Sequence, residues 1–346
     1  MGYTLSELTE QTFPRLLDNC LDAEAWHEKR SRIAQLWNSY LGEMPELIPP
    51  VYTIHSEHQE KDHIRLHLSY DTGYGDRVTA YLLVPGSSVK LHGVQKKYPT
   101  ILALHPTDAL GKADIATEQG RDNRRYALEL VARGYVVLAP DTITAGERIY
   151  EGAEAFQTAP FYKAYPNATA VGKMIHDHQQ GLELLQTLPF VDSSRIGAIG
   201  HSLGAYNAYF LAGVDDRIKA VVSSCGFCPF MQDPDPNRWG QRDWFSHIPA
   251  LSEDIKKDQI PFEYHEIMAL AAPKPIFNWF TQNDRIFPNW QAAAFASLDV
   301  HRLYEWLGKT ECYTSLLGNE GHDFPAPIRE QSYRFLDHWL QEDFSI

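Results

Sequence analysis

Short apolar runs alternate with longer segments of helical periodicity over most of the chain beyond Pro99. Residues 100–104 and 135–139 are almost continuously apolar, which is typical of strands buried on both faces of a sheet. Residues 123–133 and 168–188 instead place apolar side chains at helical spacing. Further strands are predicted just before Gly200 and at residues 218–223, 275–281 and 312–317. The alternation predicts an α/β fold, with a mostly parallel central sheet and helices on both faces.

The first hundred residues follow a different pattern. Apolar residues recur at helical spacing over residues 5–41, and three prolines between residues 45 and 50 end this section. Strands are then predicted at residues 51–55, 63–70 and 77–84, the second with the alternation of a half-buried antiparallel strand. We therefore predict an N-terminal helical extension over residues 1–50, packed on one main domain over residues 51–346.

Residues 226–266 interrupt the alternation of strands and helices. The segment is rich in proline and in aromatic residues such as Trp239, Trp244 and Phe245, and it contains no obvious strand of the main sheet. It lies on the side where the carboxyl ends of parallel strands place ligands, so it is predicted to form a lid or a pocket wall. Cys225 and Cys228 have Cys-x-x-Cys spacing, but they lead into an irregular segment and not a helix, so no redox role is predicted.

Composition and charge narrow the range of partners. The 346 residues are 44% hydrophobic and 22% charged, as in an ordinary globular protein, and their net charge is −14. This charge disfavours nucleic acid and anionic membranes, and no apolar run is long enough to span a bilayer. Four scattered cysteines and a start without signal-peptide features favour a cytoplasmic protein. We expect a small-molecule substrate, and a homo-oligomer formed through the N-terminal helices stays an open alternative.

The pentapeptide Gly200-His201-Ser202-Leu203-Gly204 has the Gly-x-Ser-x-Gly pattern of a nucleophilic serine. It follows an apolar run and precedes the small, helix-forming residues 205–212, so strand, sharp turn and helix come in the required order. The two glycines leave room where strand and helix backbones approach each other. Ser202 is the predicted nucleophile, at a helix N-terminus whose dipole favours developing negative charge. An ordinary serine in a glycine-bounded turn is the alternative.

A serine hydroxyl becomes a good nucleophile only when a base accepts its proton and a third group orients that base. In hydrolases with this turn, the chain order is serine, acid and histidine. Asp284 follows the predicted strand at 275–281, and His322 follows the one at 312–317. We therefore predict a triad of Ser202, His322 and Asp284, with Asn283 and Asp323 as competitors for the role of the acid.

The oxyanion of an acyl-transfer intermediate needs two backbone N–H groups. Leu203, directly after the nucleophile, is predicted to supply one of them. The other is expected from the loop after residue 104, where Pro106 has no N–H and Thr107 is the candidate, with His105 supporting the loop. This chemistry requires neither a metal nor an organic cofactor.

These motifs resemble those of the α/β-hydrolases, and more narrowly those of the branch that contains dienelactone hydrolases and acetyl xylan esterases. The resemblance covers the chain from Val51 to its C-terminus and implies the α/β-hydrolase fold for residues 51–346. The matching motifs are His105-Pro106-Thr107, Gly111-Lys112, residues 133–141, Gly146-Glu147-Arg148, Asp192 with Arg195-Ile196-Gly197, residues 200–204, Asp284 with Phe287-Pro288, and Gly321-His322.

Dienelactone hydrolases proper use a cysteine nucleophile, whereas this chain has Ser202. The resemblance therefore implies a serine carboxylic-ester hydrolase that forms an acyl-enzyme, and small-acyl esters of the acetyl type are the expected substrates. The same triad also serves amidases, peptidases and thioesterases. A non-catalytic binding protein on the same fold is a further alternative.

Overall fold

A nine-stranded sheet forms the centre of the protein in the computed structural model, which describes residues 2–86 and 96–341. Its strands are Tyr52–Gln59 (β2), His63–Asp71 (β3), Arg77–Pro85 (β4), Tyr98–Leu104 (β5), Val136–Pro140 (β6), Val191–His201 (β7), Ile218–Ser224 (β8), Ile276–Thr281 (β10) and Tyr313–Gly318 (β11). Their order across the sheet is β11-β10-β8-β7-β5-β6-β4-β3-β2. The six strands from β11 to β6 run parallel, while β4, β3 and β2 continue the sheet antiparallel. The predicted α/β fold class is confirmed.

Ten helices of the described ranges surround this sheet, and none of them is long and apolar enough to cross a membrane. Their bounds are Ala23–Leu41 (α1), Lys112–Ala116 (α2), Tyr126–Ala132 (α3), Ala159–Ala164 (α4), Ala170–Thr187 (α5), Leu203–Val214 (α6), Ala250–Lys256 (α7), Tyr264–Ala269 (α8), Trp290–Trp306 (α9) and Ala326–Leu340 (α10). Short 3₁₀ turns lie at Gly146–Arg148, Pro236–Trp239 and Thr310–Cys312.

The helix predicted over residues 5–41 is only half present, because the chain forms α1 alone. Asp22 caps α1 by accepting a hydrogen bond from Ala25 N at 2.9 Å, and Asn19 before it has a positive φ of 62° that no helix continues through. Upstream, Tyr3–Thr4 (β1) pairs antiparallel with Gln259–Ile260 (β9). The prediction of a helix before α1 was wrong. Apolar residues at helical spacing can also be buried by a series of turns, and the spacing alone does not distinguish the two structures.

Two clusters of buried side chains cover the two faces of the sheet. Along β5, Leu102 and Leu104 belong to one cluster, while Ile101 and Ala103 belong to the other, as the alternation of side chains in a strand requires. The first cluster contains the buried faces of α1, α5 and α6, and the second contains those of α3 and α10. The domain boundary near residue 50 stays a prediction, although α1 shares its core with the sheet.

The segment 226–266 contains α7, β9 and the start of α8, and it contributes no strand to the main sheet. Trp239 is only 1% exposed, and its ring contacts Tyr264 of α8 at a centroid distance of 4.3 Å. Trp244 is 42% exposed, and its Nε1 donates to Ala155 O at 3.0 Å. The aromatic residues of the segment are therefore divided between internal packing and a surface position.

The turn between β7 and α6 leaves no room for side chains at its two glycines. A Cβ on Gly204 would lie 2.0 Å from Leu104 O, and one on Gly200 would lie 2.2 Å from the carbonyl carbon of Gly204. Both neighbours are backbone atoms, so neither can rotate away. This close approach explains why the strand and helix that flank Ser202 require glycine at both positions.

Replacement of Gly204 by alanine is expected to lower the free energy of unfolding by roughly 3 kcal/mol, because overpacking against rigid backbone forces β5 and α6 apart. Gly321→Ala is the matched control, since its Cβ would meet nothing nearer than Asn283 O at 3.9 Å. Urea denaturation of both variants measures the difference. Equal stability of the two variants would show that the turn can relax without cost.

Candidate active site

Ser202 occupies a strained turn between the end of β7 and the start of α6. Its φ and ψ are 55° and −116°, a conformation that costs a residue with a side chain about 1–3 kcal/mol. The turn is held because Ser202 N donates to Ser224 O at 2.8 Å and Ser202 O accepts from Ala205 N at 3.0 Å. The side chain lies at the surface of a pocket, with the residue 9% exposed.

Asp284 and His322 come together at the carboxyl ends of β10 and β11. Asp284 Oδ2 lies 2.7 Å from His322 Nδ1, and its Oδ1 accepts from the N–H groups of Ile286 and Phe287 at 2.7 and 3.0 Å. The backbone thus fixes one oxygen of the buried carboxylate, while the other orients the imidazole. Asp284 is not exposed in the pocket, whereas His322 and Ser202 both line it.

The two competitors for the role of the acid point elsewhere. Asp323 Oδ1 accepts from Phe324 N at 2.8 Å and from Asn123 Nδ2. The Asn283 amide donates to Asn319 O at 2.6 Å. Of the three side chains that the sequence leaves open, the structure brings Asp284 to the histidine.

The backbone on both sides of His322 is held by side chains of β10 that the sequence analysis did not identify. Thr281 Oγ1 donates to Gly321 O at 2.9 Å, and Trp279 Nε1 donates to Asp323 O at 3.0 Å. Neither residue lines the pocket, and both hold the histidine through the carbonyl groups of its chain neighbours. In the sequence they are marked only by their position, within the last three residues of the strand before Asp284.

Thr107 lines the same pocket as Ser202, and His105 supports the loop that carries it. His105 Nδ1 donates to Pro106 O at 2.7 Å, and its Nε2 accepts from Thr142 N at 3.0 Å. Leu203 is the first residue of α6, so its N–H has no carbonyl partner within the helix. The pair Leu203 and Thr107 stays a prediction for the oxyanion hole, which this placement supports.

His201 does not compete with His322 as a base. It is buried, with its Nδ1 3.0 Å from Ser224 Oγ and its ring centroid 4.9 Å from that of His322. Burial, followed by the proximity of His322, holds the pKa of His201 well below its usual range. His201 is therefore neutral at neutral pH and adds no positive charge beside His322.

The pocket has a volume of about 620 Å³ and combines aromatic walls with cationic groups. Its aromatic residues are Tyr206, Trp239, Trp244, Phe245 and Phe287, and its cationic residues are Arg124, Arg238, Arg242 and Arg285. Most of the aromatic wall comes from residues 226–266, which agrees with the predicted pocket wall.

The four arginines differ in how far they are neutralised. Arg238 forms a two-point ion pair with Asp233, at 2.7 and 2.8 Å. Arg124 is nine-tenths buried, and its Nη1 forms ion pairs with Asp114 at 3.4 Å and Asp108 at 3.7 Å, while its Nε finds no hydrogen-bond partner in the part of the chain that the structure describes. Arg242 and Arg285 are exposed at the pocket. The pocket lining thus carries four arginines and the carboxylate of Asp235, in a chain of net charge −14.

Known proteins are similar to this chain in sequence and in structure. The Bacillus subtilis protein YtaP, whose name assigns it provisionally to the hydrolases, is 26% identical over 321 residues, or 90% of this chain and 99% of YtaP. A glucuronoyl esterase from Solibacter usitatus has a similar structure, with a TM-score of 0.69 at 16% identity over 96% of this chain and 98% of the esterase. Acetyl xylan esterase 1 from Thermoanaerobacterium sp. has a TM-score of 0.58 at 15% identity, over 89% and 93% of the two chains. At such identities the structures show a common fold.

The sequence profile of the Dienelactone hydrolase family matches residues 97–298, which is more than half of the chain. The matched region extends from the start of β5 through the Ser202 turn and the loop of Asp284 into α9. The prediction of a hydrolase fold and of a hydrolase is thereby confirmed. The chain belongs to the dienelactone hydrolase family.

Proposed function

We propose that this protein is a serine carboxylic-ester hydrolase that works through Ser202, His322 and Asp284. One observation carries the proposal: the Asp284–His322 pair, at 2.7 Å, ends in the pocket that the strained Ser202 also lines. A carboxylate fixed by backbone N–H groups, an imidazole oriented by it and a serine on a sharp turn are the parts of an acyl-transfer triad.

The first half of the reaction transfers the acyl group to the enzyme. Asp284 accepts a hydrogen bond from His322 Nδ1–H, which leaves Nε2 unprotonated and able to accept the proton of Ser202. The Ser202 oxygen attacks the ester carbonyl, and the N–H groups of Leu203 and Thr107 stabilise the oxyanion. His322 then gives its proton to the departing alcohol, and the acyl-enzyme remains.

The second half of the reaction releases the acid. Water gives a proton to His322 Nε2 and attacks the acyl carbon, and the same proton returns to Ser202 as the acid leaves. The imidazolium formed in each half carries a charge that Asp284 stabilises. The neutral His201, 4.9 Å away between ring centroids, does not oppose this charge.

The pocket supports a carbohydrate ester with a small acyl group as the substrate. Its volume of about 620 Å³ greatly exceeds that of an acetyl group, so most of it is free for the alcohol. The exposed face of Trp244 and the ring of Phe287 are apolar surfaces of the kind on which sugar rings stack. Acetyl xylan esterases and glucuronoyl esterases share the fold, and their names refer to carbohydrate esters.

Hydrolysis of p-nitrophenyl esters from acetyl to octanoyl, together with release of acetate from acetylated xylan, tests this function. The proposal predicts activity on the acetyl ester that falls with acyl length, and release of acetate from the polysaccharide. Preference for octanoyl would contradict the small-acyl substrate. Absence of ester hydrolysis by the folded protein would contradict the function as a whole.

A second candidate is the ester of a uronic acid, in which the sugar supplies the acyl group. The exposed guanidinium groups of Arg242 and Arg285 at the pocket favour it, because a sugar on the acyl side offers them a carboxyl group and hydroxyls as acceptors that an acetyl group lacks. Methyl glucuronate and acetylated xylan, assayed side by side, distinguish the two substrates. Faster turnover of methyl glucuronate would assign the sugar to the acyl side.

Removal of the Thr107 amide proton is expected to lower kcat by about 10²- to 10³-fold, because one of the two oxyanion donors is lost. Thr107→Pro removes the N–H, while Thr107→Ala keeps it and changes only the side chain. Comparison of kcat for the two variants on p-nitrophenyl acetate isolates the amide. Equal losses in both variants would place the second oxyanion donor elsewhere.

A further inference from the structure

Cys225 lies beside the Asp284–His322 pair and takes no part in the proposed reaction. The Cys225 Sγ, a carboxylate oxygen of Asp284 and a ring nitrogen of His322 all lie within 4.8 Å of one another. These are three different ligand types, brought together from the ends of three neighbouring strands, β8, β10 and β11. The juxtaposition creates a thiol, carboxylate and imidazole cluster at the back of the catalytic histidine.

The fold holds Cys225 in this position. It directly follows β8 with a positive φ of 49°, and its N–H donates to Trp279 O of β10 at 2.7 Å. Its Sγ lies 3.4 Å from Asp323 O, the carbonyl directly after His322. The thiol is therefore directed at the histidine loop. Cys225 adopts this positive φ although its side chain disfavours it.

The ligand set suits zinc. Zinc binds thiolate sulfur, imidazole nitrogen and carboxylate oxygen in tetrahedral sites, with bonds of about 2.0–2.3 Å that separate the ligand atoms by about 3.3–3.8 Å. The three atoms here are within 4.8 Å, so side-chain shifts of about 1 Å bring them onto such a tetrahedron. The fourth position is left for water.

We propose that Cys225, Asp284 and His322 form an inhibitory site for Zn²⁺ and other divalent ions that bind thiolates. The ion replaces the thiol proton of Cys225, which is released to solvent, and it binds a ring nitrogen of His322 and a carboxylate oxygen of Asp284. His322 is then no longer free to accept the proton of Ser202. It is an inhibitor and not a cofactor, because the reaction proposed above proceeds without it. Binding of the ion depends only on the cluster, whereas loss of activity rests on the proposed function.

Zinc chloride, titrated against the hydrolysis of p-nitrophenyl acetate, tests the inhibition. Wild type is expected to lose activity saturably and to regain it with EDTA. Cys225→Ser is expected to need at least about 10-fold more zinc for half-inhibition, relative to its own rate without zinc, because serine is a poor zinc ligand. The control is Cys228→Ser, whose buried thiol is next to Asn289 Oδ1 at 3.2 Å and lies outside the cluster, so its zinc sensitivity stays that of wild type.

Cobalt(II) absorption tests the site without any turnover. Cobalt in a four-coordinate site with a thiolate gives visible d–d bands and a near-ultraviolet charge-transfer band from sulfur to the metal. Both are expected in wild type, in Cys228→Ser and in the Ser202→Ala variant, while the charge-transfer band is absent in Cys225→Ser. This readout decides on the site even if the protein proves not to hydrolyse esters.

The outcomes separate clearly. Equal zinc sensitivity of wild type and Cys225→Ser overturns the proposal, as does a cobalt spectrum of wild type without the thiolate band. A cobalt site with the thiolate band in a protein that lacks esterase activity would support the cluster and contradict only the proposed function. Zinc inhibition that Cys225→Ser relieves, with the matching cobalt spectrum, supports both parts of the inference.

Discussion

Replacement of Ser202 by alanine is expected to lower kcat for ester hydrolysis by about 10⁴- to 10⁶-fold, the largest effect of any single substitution in this chain. In the proposed mechanism the hydroxyl oxygen of Ser202 forms the acyl-enzyme, and alanine offers no atom that could replace it. Stopped assays of p-nitrophenyl acetate, with variant and wild type purified in parallel, measure the ratio. The residual rate reflects binding and the oxyanion donors alone.

The fold of this variant should be unaffected. Alanine adopts the same left-handed conformation as serine at the same cost, and the strained backbone is held by Ser224 O and Ala205 N and not by the side chain. Thermal unfolding within a few degrees of wild type is the control for this point. A folded Ser202→Ala protein that retains more than about a tenth of wild-type turnover would remove Ser202 from the mechanism.

Replacement of Asp284 by asparagine is expected to lower kcat by about 10⁴-fold, because it changes which ring nitrogen of His322 carries the proton. The amide oxygen can still accept from Ile286 N and Phe287 N, so the amide nitrogen faces His322 Nδ1. Nδ1 then becomes an acceptor, the ring proton moves to Nε2, and His322 can no longer accept the proton of Ser202. Steady-state kinetics should show the loss in kcat, with KM little changed.

Asp323→Asn is the matched control, because this neighbouring carboxylate accepts from Phe324 N and Asn123 and does not face the histidine ring. An asparagine oxygen can keep both contacts, so kcat should stay within about ten-fold of wild type. A larger loss in Asp323→Asn than in Asp284→Asn would exchange the roles of the two acids.

The parts of the fold with strong local signals were predictable. The apolar run and the glycines around Ser202 are sufficient to predict the turn. A Cβ at position 204 would lie 2.0 Å from Leu104 O, so only glycine fits there. The order of Ser202, Asp284 and His322 at successive strand ends follows from a parallel sheet, in which all carboxyl ends meet at one edge. Both features depend on short stretches of sequence.

The parts that depend on contacts between distant residues were not predictable. Trp279 and Asp323 are 44 residues apart, and nothing in the periodicity of either segment indicates that the indole holds the histidine loop. The Cys-x-x-Cys spacing relates Cys225 only to Cys228, whereas the structure turns its thiol toward Asp323 O. Helix α9, between Asp284 and the last strand, was likewise not identified. Tertiary packing decides which side chains are in contact, and these contacts cannot be predicted from the spacing of residues along the chain.

Labelling with a fluorophosphonate is the decisive experiment on the nucleophile, because this reagent phosphonylates a serine only where a base and an oxyanion hole activate it. We expect one label per chain, located by peptide mass spectrometry at Ser202, and no label in Ser202→Ala. A label on another residue would contradict the assignment of Ser202 as the nucleophile. Ester hydrolysis by a protein that the reagent does not label at Ser202 would contradict it as well.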